Sequence, residues 1–299
     1  MLYHYTSLDA FESIVRDSTS EQGLCFWASR FDCFGDTREY KLGIEEIHRL
    51  LPKLEQRLPV DRCVAQSFTW EEICRNNTLP NPYVVSFTDK NDNDYMWTHY
   101  GCDGRGIVLE IDDSQPVVND YTKNLMVKTC LYQGEIDEKE LYSEIENEYF
   151  TAAFQLLSGP QKTLMLALLS EYPQLFVALI GRYLLSYVAP RMKGNAYRDE
   201  RETRIILAAP RIEVEAIIDQ IGEDVRKQFD QFIDWSGYRR MMRGEKMRNR
   251  ANGDIVYYRE IFLPGALLKN VFVKESALLK PVRNVLDEKG FSRVCVCKI

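Results

Sequence analysis

No stretch of eighteen residues in this chain is free of charge, no two cysteines are spaced as CxxC, and only three of the 299 residues are histidine. The first absence argues against a bilayer-spanning helix, which needs about 20 predominantly apolar residues. The most apolar region, LMLALLSEYPQLFVALIGRYLLSYVAP, is interrupted by Glu171, Pro173 and Arg182 and reads as a buried helical pair. The second absence removes the paired-thiol knuckle of a structural metal site. Eight scattered cysteines, with Cys295 and Cys297 on one face of a terminal strand, read as reduced thiols. A basic segment followed by an apolar one is also missing at the N-terminus, so no secretory leader is expected and a cytoplasmic location is. A formal charge of -7 argues against a whole-surface nucleic-acid binder but leaves room for a local basic groove.

With 45% hydrophobic and 28% charged residues, the chain can bury a full core. LYHYTS reads as a strand with His4 and Thr6 on one face and Tyr3, Tyr5 and Ser7 on the other. LDAFESIVRD follows at helical spacing, with Ser7 or Asp9 as its cap. LCFWAS, YVVSFT, GIVLEID and LMVKTCLYQ read as further strands, and a helical pattern runs through KLGIEEIHRLLPKLEQRL. YRDERETRIILA returns to a strand after a long helical region, EVEAIIDQIGEDVRKQFDQFIDW is a helix, and IVYYREIFLP, LKNVFV and SRVCVCKI close the chain in strands. The expected architecture is one α+β domain over residues 1–299, with a helical insertion at about 135–195.

Four polar clusters stand out because such groups are costly to bury without partners. They are His4 with Thr6; Ser29, Asp36 and Glu39; Trp97, His99 and Tyr100; and Glu200, Glu202 and Arg204. In an extended strand the last three share a face, as a site or as a structural ion-pair ladder. Trp97 alone is expected in the core, His4 alone as a core histidine bonded to a carbonyl, and Asp36 and Glu39 at the start of a helix. The segment YRRMMRGEKMRNR gathers Arg239, Arg240, Arg243, Lys246, Arg248 and Arg250 against Glu245, which reads as a solvated loop or a phosphate-attracting patch.

The succession LYHYTS, LCFWASRFDCFGDTREY, VVSFTDKNDNDYMWTHY with GIVLEID, YRDERETRIIL and IFLPGALLKNVFV resembles the bacterial domain of unknown function DUF2971, over residues 3 to about 273. Gly35, Thr37 and Tyr197 depart from that family's pattern, while Asp36, Glu39, Glu200, Glu202 and Arg204 keep it. A second resemblance, carried by YHYT, GLCFWAS and ERET in that order, is to ADP-ribosyltransferases.

The second resemblance implies a split β-sheet core with inserted helices, NAD as co-substrate, Glu202 as the catalytic carboxylate and Glu200 as its assistant. A carboxylate there would oppose the positive charge that develops at the anomeric carbon. The same resemblance implies that His4 bonds an adenosine ribose hydroxyl and Thr6 fixes the strand, that Tyr5 stands where some members use a glycine to approach the nicotinamide amide, that Phe26, Trp27 or Tyr40 stacks on nicotinamide, that Ser29 lies in the cleft, and that Arg30 or Arg204 faces the pyrophosphate. The expected function is transfer of ADP-ribose to a macromolecular acceptor, such as DNA or RNA docked on residues 238–250, in a toxin or phage-defence setting with an antitoxin or defence partner. Two other classes stay open. One is a metal-dependent nuclease or hydrolase built on Asp36, Glu39, Glu200 and Glu202; the other is a nucleotide-sensing module without turnover.

Overall fold

The computed structural model describes residues 1–16, 23–55 apart from 35 and 37, 82–114, 125–147, 180–207 apart from 182, 245–250 and 253–299, with scattered positions at 159–172 and 222–227. The helix expected at 213–235 and the arginines at 239, 240 and 243 lie outside the described residues.

The chain opens with β1 (Leu2–Thr6), α1 (Leu8–Ile14) and β2 (Leu24–Arg30). Ser7 caps α1 by accepting from the Ala10 N–H at 3.2 Å, as its position before an apolar-periodic run suggests. Next come α2 (Arg38–Glu55), β3 (Tyr83–Thr88), α3 (Asp94–His99) and β4 (Ile107–Ile111). The segment LMVKTCLYQ divides into β5 (Leu125–Thr129) and the short β6 (Leu131–Tyr132), followed by α4 (Glu138–Ile145). A π-helical turn (Leu184–Val188) and a 3-10 turn (Ala189–Arg191) lead into β7 (Met192–Lys193). The strand expected from YRDERETRIILA is shorter than its sequence pattern: Asn195–Glu200 form a 3-10 turn and β8 spans Glu202–Leu207. The chain closes with β9 (Lys246–Asn249), β10 (Ile255–Leu263), β11 (Leu268–Val273), α5 (Leu279–Glu288) and β12 (Cys295–Lys298).

These elements make a mixed α and β structure. Ten strands form one sheet, ordered β12-β11-β4-β1-β3-β2-β10-β9, with β8 on β3 and β5 on β8; β6 and β7 make a separate pair. All pairings in the large sheet are antiparallel except β11 with β12. One face carries the main core, where Phe11 and Ile14 of α1 and Val282 and Leu286 of α5 cover Leu24, Phe26, Val85, Phe87, Leu109 and Ile205. The other face carries Phe31 with Val84 and Ile206, and Tyr5 with Trp97 and Val108; beyond it α2, α4 and the π-helical turn pack together. Trp97 is thus a core residue, as expected.

Strand β3 has more neighbours than one edge can serve along its full length. It pairs with β8 from Tyr83 to Thr88 on one side. On the other, β1 meets it only at Tyr3↔Thr88 and β2 only at Ser29↔Val84 and Arg30↔Tyr83. Among the described residues the middle of β3, Val85 to Phe87, therefore lacks a strand partner on that edge, and the sheet splits there.

Helix α2 is seated by the absence of a side chain. A Cβ at Gly43 would lie 2.2 Å from the Ala189 carbonyl oxygen and 2.8 Å from its carbon, both backbone atoms that cannot swing away. We therefore expect Gly43→Ala to lower stability by about 1–3 kcal/mol although alanine is the better helix former, because overpacking outweighs propensity. A rise in the urea midpoint for this variant would contradict the close seating of α2.

Candidate functional site

Two sites emerge, one on each side of β3. The first is a buried ion cluster. Glu39 of α2, Lys193 of β7, Glu200, Glu202 and Arg204 are all less than one-tenth exposed. Arg204 Nε donates to Glu202 Oε1 at 2.7 Å, its Nη2 to Glu39 Oε1 at 2.7 Å and to Glu202 Oε2 at 3.0 Å, and its Nη1 to the Pro190 carbonyl. Lys193 Nζ donates to Glu202 Oε2 at 2.5 Å and to Glu200, and stands 3.3 Å from Glu39 Oε1. The Tyr100 hydroxyl donates to Glu200 Oε1 at 2.9 Å, and the Glu202 N–H donates to the Tyr132 hydroxyl at 2.9 Å.

Glu200 joins the cluster by a route that simple alternation does not describe. It ends the 3-10 turn, and Arg201 then adopts a left-handed conformation, φ 45° and ψ 48°, which turns the chain into β8. The ion-pair reading of this triplet is therefore realised, but with Lys193 at its centre. Burial pushes the Glu202 carboxyl up, yet the Arg204 guanidinium and Lys193 ammonium outweigh it and hold the group at about 2. Lys193 loses affinity for its proton through burial and regains more through Glu202, Glu39 and Glu200, so its pKa rises.

The second site is a cavity of about 240 Å³ at the split in the sheet. His4 and Thr6 reach it from β1, Phe26, Trp27 and Ser29 from β2, and Ser86 from the unpaired middle of β3. His4 Nδ1 donates to the Ser86 carbonyl at 2.9 Å, satisfying a backbone acceptor that the split exposes. Burial lowers the His4 pKa against the raising effect of that bond, so the imidazole is neutral at pH 7 and its Nε2 is left as an acceptor. Phe26 and Phe87 pack on the His4 ring at centroid distances of 5.2 and 5.4 Å. Among the described residues, no aspartate or glutamate lines the cavity, and Arg248 is the one lining cation.

The two sites do not merge. Tyr3 stands opposite Thr88, and Thr88 opposite Glu202, so these three share a sheet face; His4, the next residue along β1, packs with Phe26 and Phe87 in the core of the other face. The expected placement of His4 and Glu202 on one side of a common cleft is therefore not formed. Of the expected cofactor residues, His4, Thr6, Phe26, Trp27 and Ser29 line the cavity and four do not. Tyr5 points to the opposite face, where its hydroxyl donates to the Lys90 carbonyl at 3.0 Å. Tyr40 packs edge-on against Phe31. Arg30 is bound by Asp32 at 2.7 Å and Glu245 at 3.1 Å, and Arg204 belongs to the ion cluster.

Asp36, read either at the start of a helix or as a ligand in the metal-dependent alternative, stands at the start of α2: it accepts from the Arg38 N–H at 2.9 Å and from the Tyr197 hydroxyl at 2.8 Å, and these bonds lower its pKa. Among the described residues, no group of three or more histidine, cysteine, aspartate or glutamate side chains is placed to hold a metal ion. His99 Nδ1 lies 2.8 Å from the Tyr95 carbonyl, one helical turn back. The six described cysteines are free thiols. Lys193 and Ser86 were not singled out by their sequence positions. The signal for Lys193 was the pair Arg191 and Lys193, two cations on alternate residues directly after an apolar stretch.

A family model described as a protein of unknown function (DUF2971) matches residues 96–205, short of half the chain and narrower than the span the motifs suggested. The matched region contains Tyr100, Lys193, Glu200 and Glu202 and stops just after Arg204. Neither curated proteins nor solved structures gave a match. Among the described residues, no helix is long and apolar enough to cross a membrane.

Counted formally, three carboxylates and two cations give the cluster a charge of -1. Lys193→Met takes it to -2 in a buried setting and is expected to cost about 3–5 kcal/mol, whereas Glu202→Gln takes it to zero and should cost clearly less. Denaturant unfolding of both variants checks the order; equal costs would mean that charge balance does not govern the cluster.

The depressed pKa of Glu202 also sets an acid limit. Its ordinary value is 4.5, so the stability it contributes is complete above pH 4.5 and is lost as pH falls from there toward 2, on the order of 3 kcal/mol in all. In Glu202→Gln the stability profile between pH 5 and pH 2 should be flatter than in the parent. An identical profile would remove Glu202 as a source of acid sensitivity.

Proposed function

We propose that this chain is a nucleotide-sensing module that binds a NAD-type nucleotide in the cavity at the sheet split and does not turn it over. One observation carries this reading: the cavity gathers a neutral histidine, hydroxyl groups and aromatic rings, without a carboxylate among the described residues that line it. Such a lining suits a ribose and a planar base. Cleaving the nicotinamide–ribose bond asks for a carboxylate beside the anomeric carbon, as in glycoside hydrolysis. Both candidate carboxylates, Glu200 and Glu202, are instead committed to Lys193 and Arg204. The cavity volume suits about one nucleoside, small for a binding site in general, with the rest of a dinucleotide directed to solvent.

ADP-ribosyl transfer is the second reading, and one feature favours it. The cavity adjoins the ion cluster, since Ser86 of the cavity stands directly opposite Arg204 in the β3–β8 register. The carboxylates would thus need to leave their cations and cross a single strand to act. In the metal-dependent hydrolase reading, a metal would have to displace two buried cations from the same carboxylates, and no observation favours it.

Titrating the protein with NAD while following Trp27 fluorescence, and assaying nicotinamide release in the same samples, separates the first two readings. The sensor reading expects saturable quenching, no release, and, measured by calorimetry because the variant lacks the reporter, loss of binding by about tenfold or more in Trp27→Ala, the scale of one lost stacking partner. Nicotinamide release that Glu202→Gln abolishes would establish the transferase instead. No quenching at all would remove the nucleotide assignment.

A further inference from the structure

The sequence motifs offered Arg30 and Arg204 as partners for an anionic part of the ligand, and the structure commits both elsewhere. Arg30 is neutralised by Asp32 and Glu245 and lies over the Tyr257 ring, with its guanidinium carbon 4.2 Å from the ring centroid. Arg204 is enclosed by Glu202, Glu39 and the Pro190 carbonyl. Arg248 differs. It sits on the edge strand β9, exposed, and lines the cavity. Its guanidinium carbon is 5.3 Å from the centroid of the Trp27 ring, and no carboxylate pairs with it among the described residues.

Its neighbours do not leave that charge balanced. Lys246, two residues earlier on the same face of β9, takes Glu260 at 2.8 Å. Partial loss of hydration and the nearby Arg250 both lower the Arg248 pKa, as expected for a cation held without a counter-charge. Beneath it, Trp27 stacks on Tyr258 at 4.8 Å and 28°, which fixes the indole plane. An unneutralised, exposed guanidinium over a fixed indole plane calls for an oxygen acceptor bearing negative charge.

We propose that Arg248 is the phosphate anchor of the cavity, so that the ligand is a phosphorylated nucleotide rather than a nucleoside. This rests on the nucleotide reading of the cavity and deepens it. The anchor role that sequence motifs suggested for Arg30 or Arg204 passes to a residue on the far hairpin. Guanidinium geometry matters to the assignment, because a fork of N–H donors can engage two phosphate oxygens while an ammonium acts as a point charge.

The test titrates the full chain with adenosine, AMP and inorganic pyrophosphate by calorimetry, in the parent, Arg248→Gln and Arg248→Lys. Arg248 is exposed on an edge strand, and a melting curve for each variant confirms that the fold is retained. The expected result is AMP bound at least about tenfold more tightly than adenosine by the parent, with that ratio near one in Arg248→Gln and intermediate in Arg248→Lys. Preference for AMP that survives Arg248→Gln overturns the anchor while leaving the nucleotide cavity standing. Pyrophosphate binding that depends on Arg248, with no binding of AMP or adenosine beyond it, upholds an anion anchor and removes the nucleotide reading. No binding of AMP or pyrophosphate by the parent overturns the anchor outright.

Discussion

The Lys193 ammonium, held among Glu39, Glu200 and Glu202, is the interaction on which the arrangement of this protein depends. Buried ion pairs contribute little net stability against an apolar alternative, but breaking one is expensive, so they favour a single arrangement over near misses. Here the partners come from distant parts of the chain. Glu39 lies on α2, Arg204 is 165 positions later on β8, and Tyr100 reaches Glu200 from just beyond α3. Satisfying all of them fixes α2, β7 and the 3-10 turn relative to β8. The consequence reaches the cavity, because the Arg204 guanidinium lies 5.2 Å from the Phe31 ring centroid and 5.6 Å from that of Phe34, and Phe34 lines the cavity.

The cavity arises from a conflict in the sheet. Full pairing of β3 with either β1 or β2 would close the gap, yet each claims only one end of the strand. The exposed backbone between them is partly repaid by His4, whose imidazole serves the Ser86 carbonyl. That explains a histidine in the first four residues of a chain with so few: its ring satisfies a carbonyl at the split and lines the space that the split creates. The site and the defect in pairing are the same feature.

Much of this was legible in the sequence where the governing rule is local. Period-two alternation located β1, β2, β3, β4 and β10, the hydroxyl of Ser7 marked the start of α1, and Trp97 was placed in the core. Alternation states which residues of one strand share a face, but it cannot state which face of the sheet that is. His4 and Glu202 were expected together for this reason, and the non-local register Tyr3↔Thr88↔Glu202 separates them. Arg201 illustrates a second limit, since a left-handed residue without glycine or asparagine carries no sequence signal and it cut the expected strand short. β9 was hidden inside a basic run, because its four residues are all exposed and make a strand only through pairing with β10.

The first helix has a mechanical meaning beyond packing. It leaves β1 directly at Ser7, and its far end is tied to β2 by the Val15↔Leu24 bridge and the Arg16 N–H to Gly23 carbonyl bond of 2.9 Å. Those two attachments belong to the two diverging strands, and Ala10, Ser13 and Ile14 between them line the cavity. With seven residues at about 1.5 Å each, α1 is a strut roughly 10 Å long wedged across the mouth of the split. The aperture of the site is thus written in whole residues: a helix one residue longer or shorter would alter the strut by about 1.5 Å and rotate its inner face by about 100°, so the gap can change only in steps that also change what faces it.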